Sequence, residues 1–256
     1  MKSAAAALFF LSIPALSSAA PAPAAPITVA WRDKAPYHYM ENGVEQGFLL
    51  KRARQVFDSA DVPSQFVEEP AKRIWSNFAG GASSYCSIGW YKLPEREALV
   101  QFSEPFHTDR PHTLLVAPDA LKQVRSHGSL ASLLTDRGLT LGVVDGVSYG
   151  PQLDGMIRAT QNQVDRKTVS PALMTRSVAA GRVSFMFIDR DDYEYVRERD
   201  DAMRAAVQID FPDMPRGLNR YIVCSKDVPH EVMARLNRAI EKLREEKRPS
   251  KRADAR

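Results

Sequence analysis

Short apolar runs alternate with stretches in which apolar residues recur every three or four positions. This alternation restricts the chain to an α/β architecture with mainly parallel sheets. Residues 27–31, 85–90, 113–117, 139–144, 183–188 and 221–224 read as strands. Leu49, Ala53, Val56 and Ala60 keep helical spacing, as do Ile74 and Phe78 after Pro70. Pro70 suits a first helical turn. Pro229 opens a last helix with Val232, Leu236, Ile240 and Leu243 on one face. No internal repeat is found. Sheets of this kind take ligands beyond the carboxyl ends of their strands, so the loops there carry the functional argument.

At 256 residues, the chain is long enough for one large domain or two lobes. Its net charge of +4 is spread among acids rather than gathered into a stripe, which argues against a nucleic-acid partner. Residues 1–25 read as a signal peptide and leader. Lys2 precedes an apolar run, and small residues follow at Ser17, Ser18, Ala19 and Ala20. The run is too short to span a bilayer. A periplasmic location is the expectation. The charged tail, 247–256, is expected to be disordered. Cys86 and Cys224 are the only cysteines. By themselves they are as consistent with two buried thiols as with a disulfide, and no metal site is expected.

Four features could carry chemistry. Arg96 lies just past the 85–90 strand, where its planar fork could hold a carboxylate or phosphate; a surface pair with Glu95 or Glu97 is the bland alternative. The turn at Gly146, Ser148 and Gly150 could cradle an anion on backbone N–H groups, or Ser148 could simply cap a helix. The same turn fits G-x-S-x-G, and Asp189 and His230 follow in hydrolase order. Asp189 ends the 183–188 strand and could accept a ligand ammonium, whereas Asp191 and Asp192 suit the first turn of the next helix. Trp31, Tyr37, Trp90 and Tyr91 lie at strand ends, free to stack on a ligand or to pack in the core.

In order and spacing, these pieces resemble type II periplasmic solute-binding proteins of the polar-amino-acid family, solute-binding family 3. The carrying stretches are APYHYMENGVEQGF, CSIGWYKLPEREALVQFSEPF, LGVVDGVSYG and GRVSFMFID. The resemblance implies two α/β lobes joined by two hinge strands: 27–110 with 216–246, and 111–215. It implies a protein without catalysis or cofactor that captures a small carboxylate-bearing solute for the membrane subunits of an ABC importer, and works as a monomer. Arg96 would hold the carboxylate, met from lobe two by Ser148, Tyr149 and nearby backbone. Asp189 would take an ammonium, Tyr37 would stack, and Ile88, Gly89 and Tyr91 would supply strand-end contacts. It also sets the Cys86 and Cys224 strands side by side, which implies a disulfide. Leu93, Tyr91 and Val147 stand where the family carries hydroxyls, and Lys51 lies near a missing acid. These departures point to a bulkier organic acid, or a modified or aromatic amine-containing acid. An exported enzyme is the alternative, either a serine hydrolase through Ser148 or a lyase on the same fold using Asp189 or a nearby acid as proton acceptor.

Overall fold

The computed structural model describes residues 25–246. The expected export segment up to residue 24 and the tail from 247 lie outside them. The chain starts with β1 (Ile27–Trp31), the hairpin β2 (Tyr39–Glu41) and β3 (Val44–Gln46), α1 (Phe48–Ser59) and β4 (Ser64–Glu68). Then come α2 (Ala71–Ala79), β5 (Tyr85–Trp90), α3 (Pro94–Glu97), β6 (Val100–Phe102) and β7 (His107–Thr108). A second run holds β8 (Thr113–Val116), α4 (Leu121–Arg125), α5 (Leu130–Leu133), β9 (Thr140–Val144), α6 (Pro151–Ala159) and β10 (Gln163–Lys167). It continues through α7 (Pro171–Ala179), β11 (Phe185–Ile188), α8 (Arg190–Arg199) and β12 (Val207–Ile209). The chain then returns as β13 (Asn219–Ser225) and α9 (His230–Glu246).

Two mixed sheets result rather than mainly parallel ones, because β13 and β8 pair antiparallel with their neighbours. The first runs β4-β1-β5-β13-β6, with β7 also paired to β13; the second runs β10-β9-β11-β8-β12. In the first, β4, β1 and β5 are parallel and β13 is antiparallel to β5. Its two faces bury separate apolar clusters. Ile27, Val29, Trp31, Cys86 and Ile88 lie under α1 and α9, while Ala30, Tyr85 and Val223 lie under Ile74 and Phe78 of α2. A sheet covered on both faces is what makes all six residues of β5 buried. Full burial of a side chain such as Ile88 is worth about 1.5–3 kcal/mol. The second sheet has its own core around Leu114, Leu141, Phe185 and Phe187. Among the described residues, no helix is long and apolar enough to cross a membrane.

The expected strands all form, shifted by a residue or two at their ends. β4 and β10 were not foreseen. Both are edge strands, and Gln163–Lys167 is wholly polar apart from Val164, so no apolar run marks it. Cys224 lies opposite Cys86 in the β13–β5 register, and the two are joined as a disulfide across a sequence separation of 138. The chain crosses between the sheets twice, between Thr108 and Thr113 and between Ile209 and Asn219. The crossings touch: Asp109 N donates to Leu218 O at 2.8 Å, and a Cβ on Gly217 would lie 1.7 Å from Asp109 O.

Candidate functional site

The carboxyl end of the first sheet is shaped by Gly89. Tyr221 pairs with Trp90 but Ile222 pairs with Ile88, so Gly89 is the extra residue of a β-bulge, with φ at +80°. A Cβ there would lie 2.9 Å from His38 Nε2 and 3.1 Å from Leu49 Cδ2. The bulge turns Trp90 to the α2 face, although Ile88 two positions earlier faces α1 and α9. Trp90 then forms an edge-on pair with Trp75 at 5.0 Å.

Two guanidiniums sit on this aromatic platform. Arg96 lies 4.7 Å from the Trp75 centroid and 5.1 Å from that of Trp90. Its Nη1 donates to Tyr91 O at 3.0 Å. Arg32, the residue after β1, lies 4.2 Å over Trp90, and its buried Nη1 has no hydrogen-bond partner. Among the described residues, neither guanidinium forms an ion pair. Burial, with the repulsion of Arg220 and Arg96, pulls the Arg32 guanidinium down to about 10. The surface pairing considered for Arg96 does not form; Glu97 binds Lys92 instead.

A second charged cluster joins the two sheets. Arg220 of β13 is 1% exposed and grips Asp109 with two of its nitrogens, Nε to Oδ1 and Nη2 to Oδ2, each at 2.8 Å. It also donates to Gly89 O and to the Tyr91 hydroxyl, which in turn donates to Asp109 at 2.6 Å. From the second sheet, Asp189 faces Arg220 at 3.4 Å, Lys34 Nζ at 3.0 Å and His112 Nε2 at 3.1 Å. Lys34 also binds Asp192 at 2.7 Å. Tyr37 is covered on its ring by Lys34 and Arg220, each at 4.3 Å, and its hydroxyl donates to Asp191.

The electrostatics follow from this crowding. Burial pushes the Asp189 carboxyl up, but Lys34, His112 and Arg220 together outweigh it and hold it well below the usual carboxylate range. Burial likewise opposes ionisation of Asp109, and His107 and Arg220 bring it down. Asp192 goes the other way, raised to about 6 by burial and by the charge of Asp189, against Lys34. Burial holds His38 well below its ordinary value, reinforced by Arg32 and Arg220.

In the second sheet's loop, Ser148 donates to Asp154 Oδ2 at 2.6 Å, and Tyr149 N donates to Asp154 Oδ1 at 2.9 Å. Gly150 N donates to Ser148 Oγ. At the turn where the sequence suggested an anion cradle, the carboxylate held by the Ser148 hydroxyl and the Tyr149 N–H is Asp154 of α6. Among the described residues no histidine hydrogen-bonds to Ser148, and His230 opens α9 beside the first sheet. Nothing here assembles the hydrolase arrangement. Tyr149 is buried beside His112, with ring centroids 6.0 Å apart.

The sequence reading thus locates Arg96, Tyr37, Tyr91, Ile88, Gly89 and Asp189 at one end of the two sheets. It missed Arg32, Lys34, Asp109, His112 and Arg220. Asp192 was read only as a helix-start residue; it is also Lys34's closest partner. A cavity of about 710 Å³ lies further out, lined by Tyr39, Phe48, Arg54, Asp191 and Tyr195. It borders the charged cluster through Asp191 but contains neither Arg32 nor Arg96.

Two α/β lobes, each with a mixed sheet and covering helices, linked by two chain crossings and meeting over polar strand ends, define the type II periplasmic-binding fold. Residues 27–253 match the model of the bacterial extracellular solute-binding proteins, family 3, and the chain belongs to that family. Similar structures include one from work on glutathione import through GshT in Streptococcus mutans, at 19% identity and TM-score 0.66, covering 87% of this chain and 91% of that one. Another is the arginine-, lysine-, histidine-binding protein ArtJ of Geobacillus stearothermophilus, at 17% identity and TM-score 0.66, covering 87% and 90%. A third is AncCDT-1, an ancestral amino acid-binding protein and precursor of cyclohexadienyl dehydratase, at 18% identity and TM-score 0.64, covering 86% and 89%. No curated protein sequence matches the chain significantly.

Proposed function

We propose that this chain captures a small carboxylate-bearing solute between its two lobes and passes it to the membrane subunits of an ABC importer, working as a periplasmic monomer released from a signal peptide. Lobe one is 27–110 with 216–246, and lobe two is 111–215. Family membership supports the class of activity. The observation that carries the ligand class is Arg96, a guanidinium held over Trp75 and Trp90 with no acid paired to it among the described residues. A stacked planar fork of this kind suits a carboxylate. In this reading Ile88, Gly89 and Tyr91 wall the strand end beside it, and Tyr37, Ser148, Tyr149 and Asp189 enclose the solute from the facing loops.

Binding rather than turnover fits the same residues. Asp189, the acid best placed to take a proton, is held well below the usual carboxylate range and is a poor base. Ser148 is committed to Asp154. The test is a thermal-shift screen over carboxylates followed by calorimetry on hits, with Arg96→Ala beside the wild type. Losing a charge-assisted pair costs roughly 1.5–3 kcal/mol, about 10- to 150-fold in affinity. An unchanged affinity in Arg96→Ala removes Arg96 from the site.

A further inference from the structure

We infer that the solute is an organic dianion without an ammonium group, such as a dicarboxylate, with one anionic end on Arg96 and the other on Arg32. This rests on the proposed capture of a carboxylate and deepens it.

The first support is the way the charges are already used. Four cations converge at the strand ends: Arg32, Lys34, Arg96 and Arg220. Asp109, Asp189 and Asp192 are consumed by two of them, Arg220 and Lys34. Arg96 feels the charges of Glu95 and Asp154, but pairs with neither; Asp154 is held by Ser148 and the backbone of Tyr149. Among the described residues, Arg32 and Arg96 are therefore the two of these four cations with no counter-charge in contact. Both stack on one ring, that of Trp90, at 4.2 and 5.1 Å, which keeps the guanidiniums within reach of one small molecule. The buried Nη1 of Arg32 still needs an acceptor, and an unsatisfied buried donor on a charged group is costly.

The second support is the place of Lys34. Its ammonium sits on Asp189 and Asp192 and over the Tyr37 ring, so the acids that could have received a ligand ammonium already hold one. An α-amino acid would have to displace it while bringing a further positive charge near Arg32 and Arg220. A second carboxylate instead relieves the repulsion between Arg32 and Arg96. The same contacts thus favour two anions and reject an amine, which is how a site gains selectivity by repulsion as well as attraction.

Calorimetry on the purified chain, wild type and Arg32→Gln, tests this with succinate and glutarate against butyrate, L-glutamine and L-arginine. Circular dichroism confirms folding, and Arg32→Lys serves as the charge-keeping variant. The dianions should bind more tightly than the other probes. Arg32→Gln should weaken succinate binding by about 10- to 150-fold, the loss of one charge-assisted pair, and by much less for butyrate; Arg32→Lys should recover part of the loss. Tighter binding of L-glutamine or L-arginine than of either dianion overturns the inference and leaves carboxylate capture standing. Equal losses for succinate and butyrate in Arg32→Gln do the same. If no carboxylate of any class binds, carboxylate capture itself fails, and the inference with it.

Discussion

Arg220→Met is the perturbation whose cost can be worked most directly from the structure. The guanidinium is 1% exposed and Asp109 5%, and two contacts of 2.8 Å join them. Removing Arg220 leaves the Asp109 carboxylate buried with the Tyr91 hydroxyl and, 3.2 Å away, His107 Nε2. Stripping one partner from a buried ion pair costs about 3–5 kcal/mol, mostly the penalty of stranding the other charge. Replacing both partners by apolar groups is often neutral or stabilising. Arg220→Met alone should therefore lose about 3–5 kcal/mol of unfolding free energy at neutral pH, and adding Asp109→Leu should restore most of it. Urea unfolding followed by tryptophan fluorescence measures both the loss and the recovery. A loss below about 1 kcal/mol in the single variant, or a double variant no more stable than the single, would refute the argument that Asp109 is held ionised by Arg220.

Other outcomes follow from the same structure. Removing the disulfide with Cys86→Ala and Cys224→Ala opens a loop with a separation of 138 residues. In the chain-entropy account this costs about 5 kcal/mol, read as a lower denaturation midpoint, and an unchanged midpoint would show that the bridge constrains little. Asp109 and Asp189 have folded pKa values below those of the unfolded chain. Their stabilisation is present above an unfolded pKa of about 3.9 and lost as pH falls through the folded values. Asp192, raised to about 6, has the opposite sign: its contribution is present below the unfolded pKa and lost as pH rises through about 6. Melting temperatures from pH 2 to 8 should fall steeply at the acid end, and Asp192→Asn should flatten the dependence between pH 4 and 7.

What could be read in advance was decided by how local the signal is. β1, β5 and β11 announce themselves because they are covered on both faces and are therefore apolar but for Thr28 and Ser87. Arg96 is visible because it follows such a strand within a few residues. Arg220 is not. It precedes the apolar run Tyr221–Cys224 in its strand, and its acids lie 111 and 31 positions away in the chain, so no window of sequence holds the reason for it. Lys34 is hidden in the same way, with partners 155 and 158 positions distant. Asp154 was within reach of local reading. It stands in the first turn of α6 after Pro151, where an acid commonly satisfies free N–H groups, and it accepts from the Ser148 hydroxyl and the Tyr149 backbone N–H. Gly89 was noted as a strand-end contact. Its larger effect, turning Trp90 to the opposite face from Ile88, depends on a bulge that only the β13 register reveals.

The return of β13 to the first sheet also has a consequence in time. The second sheet draws its strands from one unbroken stretch, Thr113 to Ile209, and can pair completely as soon as that stretch has left the ribosome or a translocation pore. The first cannot. Its β5 has β1 beside it but lacks its second neighbour until Asn219–Ser225 arrives, and Cys86 has to wait as a thiol through the synthesis of everything between. The later-made sheet is thus the one completed around an already folded insert, and the portion of the chain that emerges first is among the last to be locked in place.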